Sequence, residues 1–346
     1  MIRNAFVAAA VAVGLAGAVL AQEGPATTVL SFKDLRGWEG DDHQAALETF
    51  LGTCGNLKMP DWAAVCALAR NQPNARTFFE LFFRPVLVED GRPALFTGYF
   101  EPELEGARRP DARFRYPVYR KPPELREGMV WYSREEIETR GILAGRGLEI
   151  AWVDDPVELF YMQVQGSGRI RMRDGSVIRL GYAASNGRRY RSPGDEMVRR
   201  GIYEPSQVSA RVIANWVRRN PVAGMRLLRS SPSYVFFRVV RGVPPEAGPL
   251  GAMNRPLTPL RSLAVDPRFV SLGAPVWVEK GGAGSFRRLM IAQDTGSAIK
   301  GAQRGDIFFG TGDEAGRAAA RVNDPGRMIV LLPIEMAYAR ADEVAR

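Results

Sequence analysis

Near the C-terminal end of this 346-residue chain, Arg288-Leu289-Met290-Ile291-Ala292-Gln293-Asp294-Thr295-Gly296-Ser297-Ala298-Ile299-Lys300-Gly301 is followed by Arg304-Gly305-Asp306-Ile307-Phe308-Phe309-Gly310. Asp294 and Asp306 each stand where a β-branched or aromatic run meets a glycine turn, which reads as a strand end rather than a solvated helix. Upstream, Ala264-Val265-Asp266-Pro267 places a third aspartate before the strand-like Ala274-Pro275-Val276-Trp277-Val278-Glu279. Strand ends at the rim of a β scaffold hold side chains in fixed positions, where chemistry tends to sit. A single aspartate beside a glycine is ordinary turn chemistry. Three in this order, with Lys300 between two of them, read as a site. Lysine is rare here, five against 42 arginines, so Lys300 is a candidate to pair with Asp294 or hold a substrate oxygen.

Acid–base chemistry must then come from carboxyls. The one histidine, His43, lies in Asp42-His43-Gln44-Ala45-Ala46-Leu47 and reads as the start of a surface helix. A serine or cysteine relay needs an imidazole beside its nucleophile. A zinc site usually needs imidazoles or several thiolates, and only Cys54 and Cys66 are present. No metal and no cofactor are therefore expected.

The elements that must hold these aspartates come from a chain long enough for two domains. Its first 21 residues carry one charge, Arg3, and an apolar run from Phe6 to Leu20 that ends in small residues at Val19-Leu20-Ala21. This pattern reads as a secretory signal peptide cut after Ala21, short of the ~20 apolar residues of a membrane span. No cysteine follows that point, so no lipid anchor is expected there. The reading is an exported, periplasmic protein, with outer-membrane association left open. In an exported chain, Cys54 and Cys66 are expected to form a structural disulfide rather than stay as buried thiols. The formal net charge of +9 favours an anionic partner such as cell-wall polymer. Scattered arginines without interleaved aromatics argue against nucleic acid.

Helices are expected first, over 43–51, 61–70 and 75–83. Short strand runs follow between Leu95 and Val153, including Ala94-Leu95-Phe96-Thr97-Gly98-Tyr99-Phe100 and Tyr116-Pro117-Val118-Tyr119. Ser133-Arg134-Glu135-Glu136 has capping-box spacing. Glu158-Leu159-Phe160-Tyr161-Met162-Gln163-Val164-Gln165 reads as a strand by composition, and Gly175 as a hairpin turn. Ser192-Pro193 caps a further helix, and Ser206 to Arg219 shows helical spacing. Strands resume at Ser233, with one helix near 314–321. This suggests an insertion, with 22–100 plus 232–346 as one domain and 101–231 as the inserted one.

Phe96-Thr97-Gly98-Tyr99-Phe100-Glu101-Pro102, Tyr116-Pro117-Val118-Tyr119-Arg120, Val164-Gln165-Gly166-Ser167-Gly168, Gly181-Tyr182-Ala183-Ala184-Ser185-Asn186-Gly187 and Tyr190-Arg191-Ser192 resemble the lytic murein transglycosylase A family. The stretch from Asp266 through Asp294 to Asp306 resembles its three-aspartate C-terminal module. The resemblance runs from about Leu95 to Pro333. It implies a mainly β fold with flanking helices, a double-psi β-barrel interrupted by a smaller β domain, with a glycan groove between them. It implies an exotransglycosylase that cleaves the β-1,4 bond between N-acetylmuramic acid and N-acetylglucosamine to leave a 1,6-anhydro sugar. The residues alone leave exo- and endo-action open. By motif position the catalytic aspartate falls on Asp306 and its companion on Asp294. Well-known members are outer-membrane lipoproteins, a pattern from which this sequence departs.

One carboxyl suffices for that reaction, because the attacking group is the sugar's own C6 hydroxyl. Ordinary glycosidases need two, to handle a water or a nucleophile. The acid must be protonated near neutral pH, so its pKa is expected to be raised by burial or a neighbouring carboxylate. For the glycan, Tyr99, Tyr182 and Tyr190 are candidates to stack on sugar faces. Thr97, Gln165, Ser167, Ser185 and Asn186 are candidates for hydrogen bonds, and Gly98, Gly166 and Gly187 for close backbone approach. The expected partner is peptidoglycan, acted on by a monomer that could join cell-wall synthesis or hydrolysis complexes. Two rival readings stand beside this one. A similar barrel could bind wall polysaccharide without cleaving it, as in expansin-like proteins. Asp294-Thr295-Gly296-Ser297 also matches an aspartic-protease signature, but those enzymes need two such aspartates sharing a proton.

Overall fold

Local start signals set the first helices. The computed structural model describes residues 25–71 and 74–345, and the expected signal segment lies outside the described residues. After strand β1 (Ala26–Val29), Asp42 caps α1 (His43–Thr53) by accepting from the Ala45 amide, and Pro60 opens α2 (Pro60–Ala69). Asn74 caps α3 (Ala75–Phe82) through the Thr77 amide. The Cys54–Cys66 disulfide ties α2 to the end of α1. Phe50 is surrounded at 6.0–6.4 Å by the rings of Trp62, Phe78, Phe79 and Phe83. Burying side chains of this size contributes ~1.5–3 kcal/mol each, so these helices form one body with the sheet behind them. His43 is buried rather than on the surface, with its ring edge-on to Trp38 at 4.4 Å. Burial pushes its pKa down.

From there the chain builds two sheets. β2 (Phe83–Glu89) and β3 (Leu95–Glu101) belong to the first. The chain leaves it at Glu101-Pro102 for β4 (Glu103–Ala107), β5 (Tyr116–Tyr119), helix α4 (Arg134–Thr139), β6 (Glu149–Val153), helix α5 (Pro156–Gln165), β7 (Gly168–Met172) and β8 (Val177–Ser185). Helices α6 (Pro193–Arg199), α7 (Ala210–Arg219) and α8 (Pro221–Arg229) come next, then β9 (Val235–Val240). The second sheet has the order β5-β6-β4-β7-β8-β9. β9, which lies beyond the boundary expected near 232, pairs antiparallel with β8 and is a strand of this smaller sheet.

Glu158 to Gln165 is helix, not strand. Its aromatic and β-branched composition suggested a strand, but the caps and the spacing decide otherwise. Asp155 accepts from the Val157 and Glu158 amides, Pro156 takes the first position, and Gly166 ends the helix in the left-handed region. Val157 and Phe160 pack on α6 to α8, while Leu159 and Met162 pack on the sheet. Ser206 to Arg219 is also broken: Pro205–Gln207 is a single 3₁₀ turn, and Ser209 caps a separate α7. The Ser133 capping box and the turn at Gly175 lie where the sequence placed them.

The remaining strands complete the first sheet. They are β10 (Ser262–Ala264), β11 (Pro275–Lys280), β12 (Phe286–Asp294), β13 (Arg304–Thr311), β14 (Asn323–Asp324) and β15 (Gly326–Pro333), with α9 (Gly312–Ala319) and α10 (Ile334–Ala345). Only the first of these two helices was anticipated. The order is β1-β2-β15-β11-β12-β10-β13-β3-β14. β10 runs parallel to β12 and β13 runs parallel to β3, so non-consecutive strands lie side by side in a nearly closed six-stranded barrel. At the seam, Gln303 donates to the Val88 and Met328 carbonyls, and Lys280 pairs with Asp324 at 2.6 Å. Every residue of β11 is buried, as expected of a strand covered on both faces. Among the described residues, no helix is long and apolar enough to cross a membrane.

Candidate active site

A cleft of about 660 Å³ opens between the two sheets, and both Asp294 and Asp306 line it. They reach it from neighbouring parts of the barrel. β10 pairs with both β12 and β13, placing Ala264 opposite Asp294 on one side and Asp306 on the other. β3 lies beside β13 with Thr97 opposite Asp306. Asp294 is the last residue of β12, as read from the sequence, whereas Asp306 is the third residue of β13 and stands inside the strand.

Asp306 is half-buried and takes one hydrogen bond, from the Thr97 hydroxyl to Oδ1 at 2.5 Å. Burial pushes its pKa up to about 6 and the Asp294 carboxylate adds to the rise, against the Thr97 bond and the Arg304 charge. Arg304 Nη2 donates to Thr97 Oγ1 at 2.8 Å. A guanidinium cannot accept, so the Thr97 hydrogen must point at Asp306. Oδ1 is therefore an acceptor, and a proton on this carboxyl belongs to Oδ2, which has no hydrogen-bond partner among the described residues.

Asp294 sits in a different set of bonds. Oδ2 accepts from the Tyr99 hydroxyl at 2.9 Å, and Oδ1 accepts from the Ala252 and Thr295 amides, each at 2.9 Å. Burial raises its pKa, and these three donors oppose the rise by favouring the ionised form. Burial and the two carboxylates push the Tyr99 hydroxyl well above its usual range, which keeps it a donor. Phe308, in register with Tyr99 on β13, is fully buried and packs its ring 5.3 Å from that of Tyr99.

Asp266 does not join them. It is 1% exposed and accepts from Arg268 Nη2 at 2.6 Å and from the Gly301 amide at 2.9 Å. These bonds, the arginine first, hold its pKa down at about 2. Its work is to fix the turn between β12 and β13. Lys300 corrects the sequence reading: it is exposed, lies outside the cleft lining, and pairs with neither aspartate.

The other candidates divide. Gln165, Gly166, Ser167, Ser185, Tyr182 and Tyr190 line the cleft from the smaller sheet and its helices. Gln165 also accepts from the Phe100 amide at 3.2 Å. Thr97 acts on Asp306 rather than on the cleft. Gly98 lines the cleft, but a Cβ there would meet the Ala319 backbone at 2.7 Å and the Phe309 ring at 2.8 Å, so packing of α9 on β3 demands the glycine. Asn186 is fully buried: its amide donates to the Tyr132 and Pro232 carbonyls and its oxygen accepts from the Tyr234 amide. It is a structural cross-link with no atom left for a ligand. Gly187, with φ +70°, faces the Met129 carbonyl, 2.3 Å from where a Cβ would lie, and belongs to the same turn.

Four arginines in the lining, Arg134, Arg188, Arg238 and Arg304, were missed, as was the wall formed by Leu250, Gly251, Ala252, Asn254 and Leu257. Arg304 had a usable signal, since it stands two residues before Asp306 on one strand and shares its face. The rest are brought in by long-range packing. Among the described residues, no group of three or more histidines, cysteines and acids is placed to hold a metal ion.

Known proteins resemble this chain in sequence and fold. Residues 95–238 match the MltA specific insert domain and residues 261–332 match the 3D domain. A membrane-bound lytic murein transglycosylase A of Vibrio cholerae is 35% identical over 246 residues, 68% of this chain and 64% of that protein. The match thus spans just under two thirds of that relative's length. A membrane-bound lytic murein transglycosylase structure from Agrobacterium tumefaciens superposes with a TM-score of 0.79 at 34% identity, covering 91% of this chain and 99% of that one. The structure of Escherichia coli MltA with bound chitohexaose gives 0.72 at 28% identity, covering 90% and 96%.

Proposed function

The chain belongs to the MltA family, and from that premise we propose that it is a lytic transglycosylase of peptidoglycan working through Asp306. The observation that carries this reading is the Asp306 carboxyl itself. It stands in the cleft wall with one oxygen tied to Thr97, the other unpartnered, and a pKa of about 6. Such a group holds a proton at mildly acidic pH and exchanges it near neutrality, as an acid that must later act as a base requires.

Oδ2–H gives its proton to the glycosidic oxygen between N-acetylmuramic acid and N-acetylglucosamine as the C1–O bond breaks. The C6 hydroxyl of the same muramoyl ring then bonds to C1, and its proton returns to Oδ2. No water is consumed, and the enzyme ends in the state in which it began. Attack by a tethered hydroxyl carries an effective molarity of roughly 10⁵ to 10⁸ M when aligned. A second catalytic carboxyl is unnecessary. Asp294 is the companion, a fixed carboxylate that helps keep Asp306 protonated. The barrel supplies this chemistry and the inserted domain grips the strand through Gln165, Ser167, Ser185, Tyr182 and Tyr190. The four cleft arginines and the net charge of +9 suit an anionic wall polymer. The envelope outside the cytoplasmic membrane is the matching compartment.

Incubation with purified murein sacculi, and then mass analysis of the soluble products, tests this. Muropeptides with a 1,6-anhydro bond are expected, in the presence of EDTA as in its absence. Products with a reducing muramic end would instead call for a water and a second carboxylate, cut peptides would indicate a protease, and bound protein with nothing released would indicate a binding module.

A further inference from the structure

Where the barrel passes into the insert, one carboxylate faces two guanidinium groups. Glu101, the last residue of β3, is 1% exposed. Its Oε2 accepts from Arg169 Nε and from the Thr311 hydroxyl, both at 2.8 Å, and its Oε1 lies 3.7 Å from Arg179 Nη2. Arg169 on β7 and Arg179 on β8 are direct partners in the sheet. Two cations on one carboxylate leave a buried excess of positive charge, and it is met by backbone. Arg169 donates to the Pro245 and Ala247 carbonyls, and Arg179 to those of Pro244, Ala247 and Gly248, all at 2.7–2.9 Å. Pro244 and Pro245 have no N–H of their own, so this segment presents acceptors.

The clasped segment begins the return from insert to barrel, and residues 249–257, directly after it in the chain, build the cleft wall that carries Ala252. That wall is closed on itself by three bonds: Leu257 N to Pro249 O at 2.9 Å, Asn254 N to Gly251 O at 2.8 Å, and Gly251 N to Arg255 O at 3.0 Å. Its far side rests on Asn56, which donates to the Met253 carbonyl. Between the two anchors, the Ala252 N–H donates to Asp294 Oδ1. A Cβ on Gly251 would stand 2.7 Å from the Gln293 carbonyl, so the fit against β12 leaves no slack.

We propose that Arg169 and Arg179, clasped on Glu101, are positioning residues for Asp294, acting through the 249–257 loop. This rests on the reading of Asp294 as the companion carboxylate. A loop fixed at both ends delivers one amide to a buried carboxylate, and release of one end withdraws it. The clasp also joins the two lobes, since Glu101 ends β3 of the barrel while Arg169 and Arg179 stand on the sheet of the insert.

The test uses the full chain and Arg179→Gln. Hydrogen exchange followed by NMR should show the Ala252 amide losing about tenfold or more of its protection, with the amides of Val276 to Val278 in β11 unchanged. Turnover on sacculi should fall about tenfold, as for loss of a hydrogen bond to a charged group. In an Asp294→Asn background the same substitution should cost less than about twofold, because effects acting through one group do not add. Affinity for glycan, measured in an Asp306→Asn background, should stay within about threefold. If Arg179→Gln fails to fold, Arg179→Lys keeps the charge opposite Glu101 without the fork and should show the same pattern at smaller amplitude. Unchanged Ala252 protection, or an equal loss of turnover in both backgrounds, would overturn the proposal. Exchange is read without any reaction, so a wild-type protein that released no anhydro products would sink the proposed function while leaving this inference to be judged on Ala252.

Discussion

Two neighbouring positions in one barrel hold the same residue type in opposite states. Asp306 is half-buried, takes one hydrogen bond, and has its pKa pushed up to about 6. Asp266 is more completely buried, yet it is held at about 2, because Arg268 and the Gly301 amide bind it where Asp306 has a single hydroxyl. Burial raises Asp306 because its one donor and the Arg304 charge do not offset it, whereas at Asp266 the charged donor outweighs burial. A carboxylate saturated with donors has been spent on structure, whereas one left an unpartnered oxygen keeps a proton to exchange.

The contrast breaks first at Asp306. Asp306→Asn keeps the shape and the Thr97 bond but cannot exchange the proton. Turnover on sacculi should fall ~10² to 10⁴-fold with binding retained, whereas a variant keeping a tenth of the activity would move the acid elsewhere. Asp294→Asn comes next. Its loss should be smaller, roughly tenfold, with the alkaline limb of the pH–rate profile moved to lower pH. Without a neighbouring carboxylate the Asp306 pKa falls, and its protonated form is lost earlier. An unmoved limb would show that Asp294 does not act on Asp306.

Asp266→Asn should be nearly silent in turnover per folded molecule. It should cost about 1–3 kcal/mol of stability in denaturant unfolding, because Arg268 and Gly301 lose a charged partner. A large loss of turnover with stability unchanged would erase the distinction between the two aspartates. The smallest effect concerns the pH dependence of stability. The Asp306 pKa is above its ordinary 3.8 in the folded chain, so its contribution is fully present below that value and is lost as pH rises through about 6. The Asp266 pKa is below its ordinary 3.8, so its contribution is present above that value and is lost as pH falls through about 2. Asp306→Asn should therefore melt slightly higher than wild type at pH 8, with a smaller difference at pH 4. A variant less stable at pH 8 would mean that the ionised carboxylate is better satisfied than its single bond indicates.

Much of this was legible in the sequence where the signal is local. The caps at Ser133 and Ser192, the turn at Gly175, the cysteine pair and the two aspartates of the β12–β13 region each sit within a few residues of what defines them. The failures share another cause. Helix α5 was misread because composition was weighed above caps and spacing. Asn186 looked like a ligand group because nothing local says that its amide is consumed by the carbonyls of Tyr132 and Pro232, 54 and 46 residues away. Lys300 stood out by rarity, which says nothing about direction. The arginine clasp and the 249–257 wall could not be read at all, since their partners lie on strands brought together only by the insert.

The barrel is also discontinuous in chain order, and this has a bearing on how the protein comes into being. Thr97 and Asp306 are 209 residues apart and Tyr99 and Asp294 are 195 apart, yet each pair shares a hydrogen bond. Early strand β3 waits for β13 while the whole inserted domain is made. Such distant pairings form late and slowly. A nascent chain without β13 lacks the Thr97–Asp306 pair, so under the proposed function it gains its acid only when almost its last strand is in place. Latency is written into the order of the strands themselves.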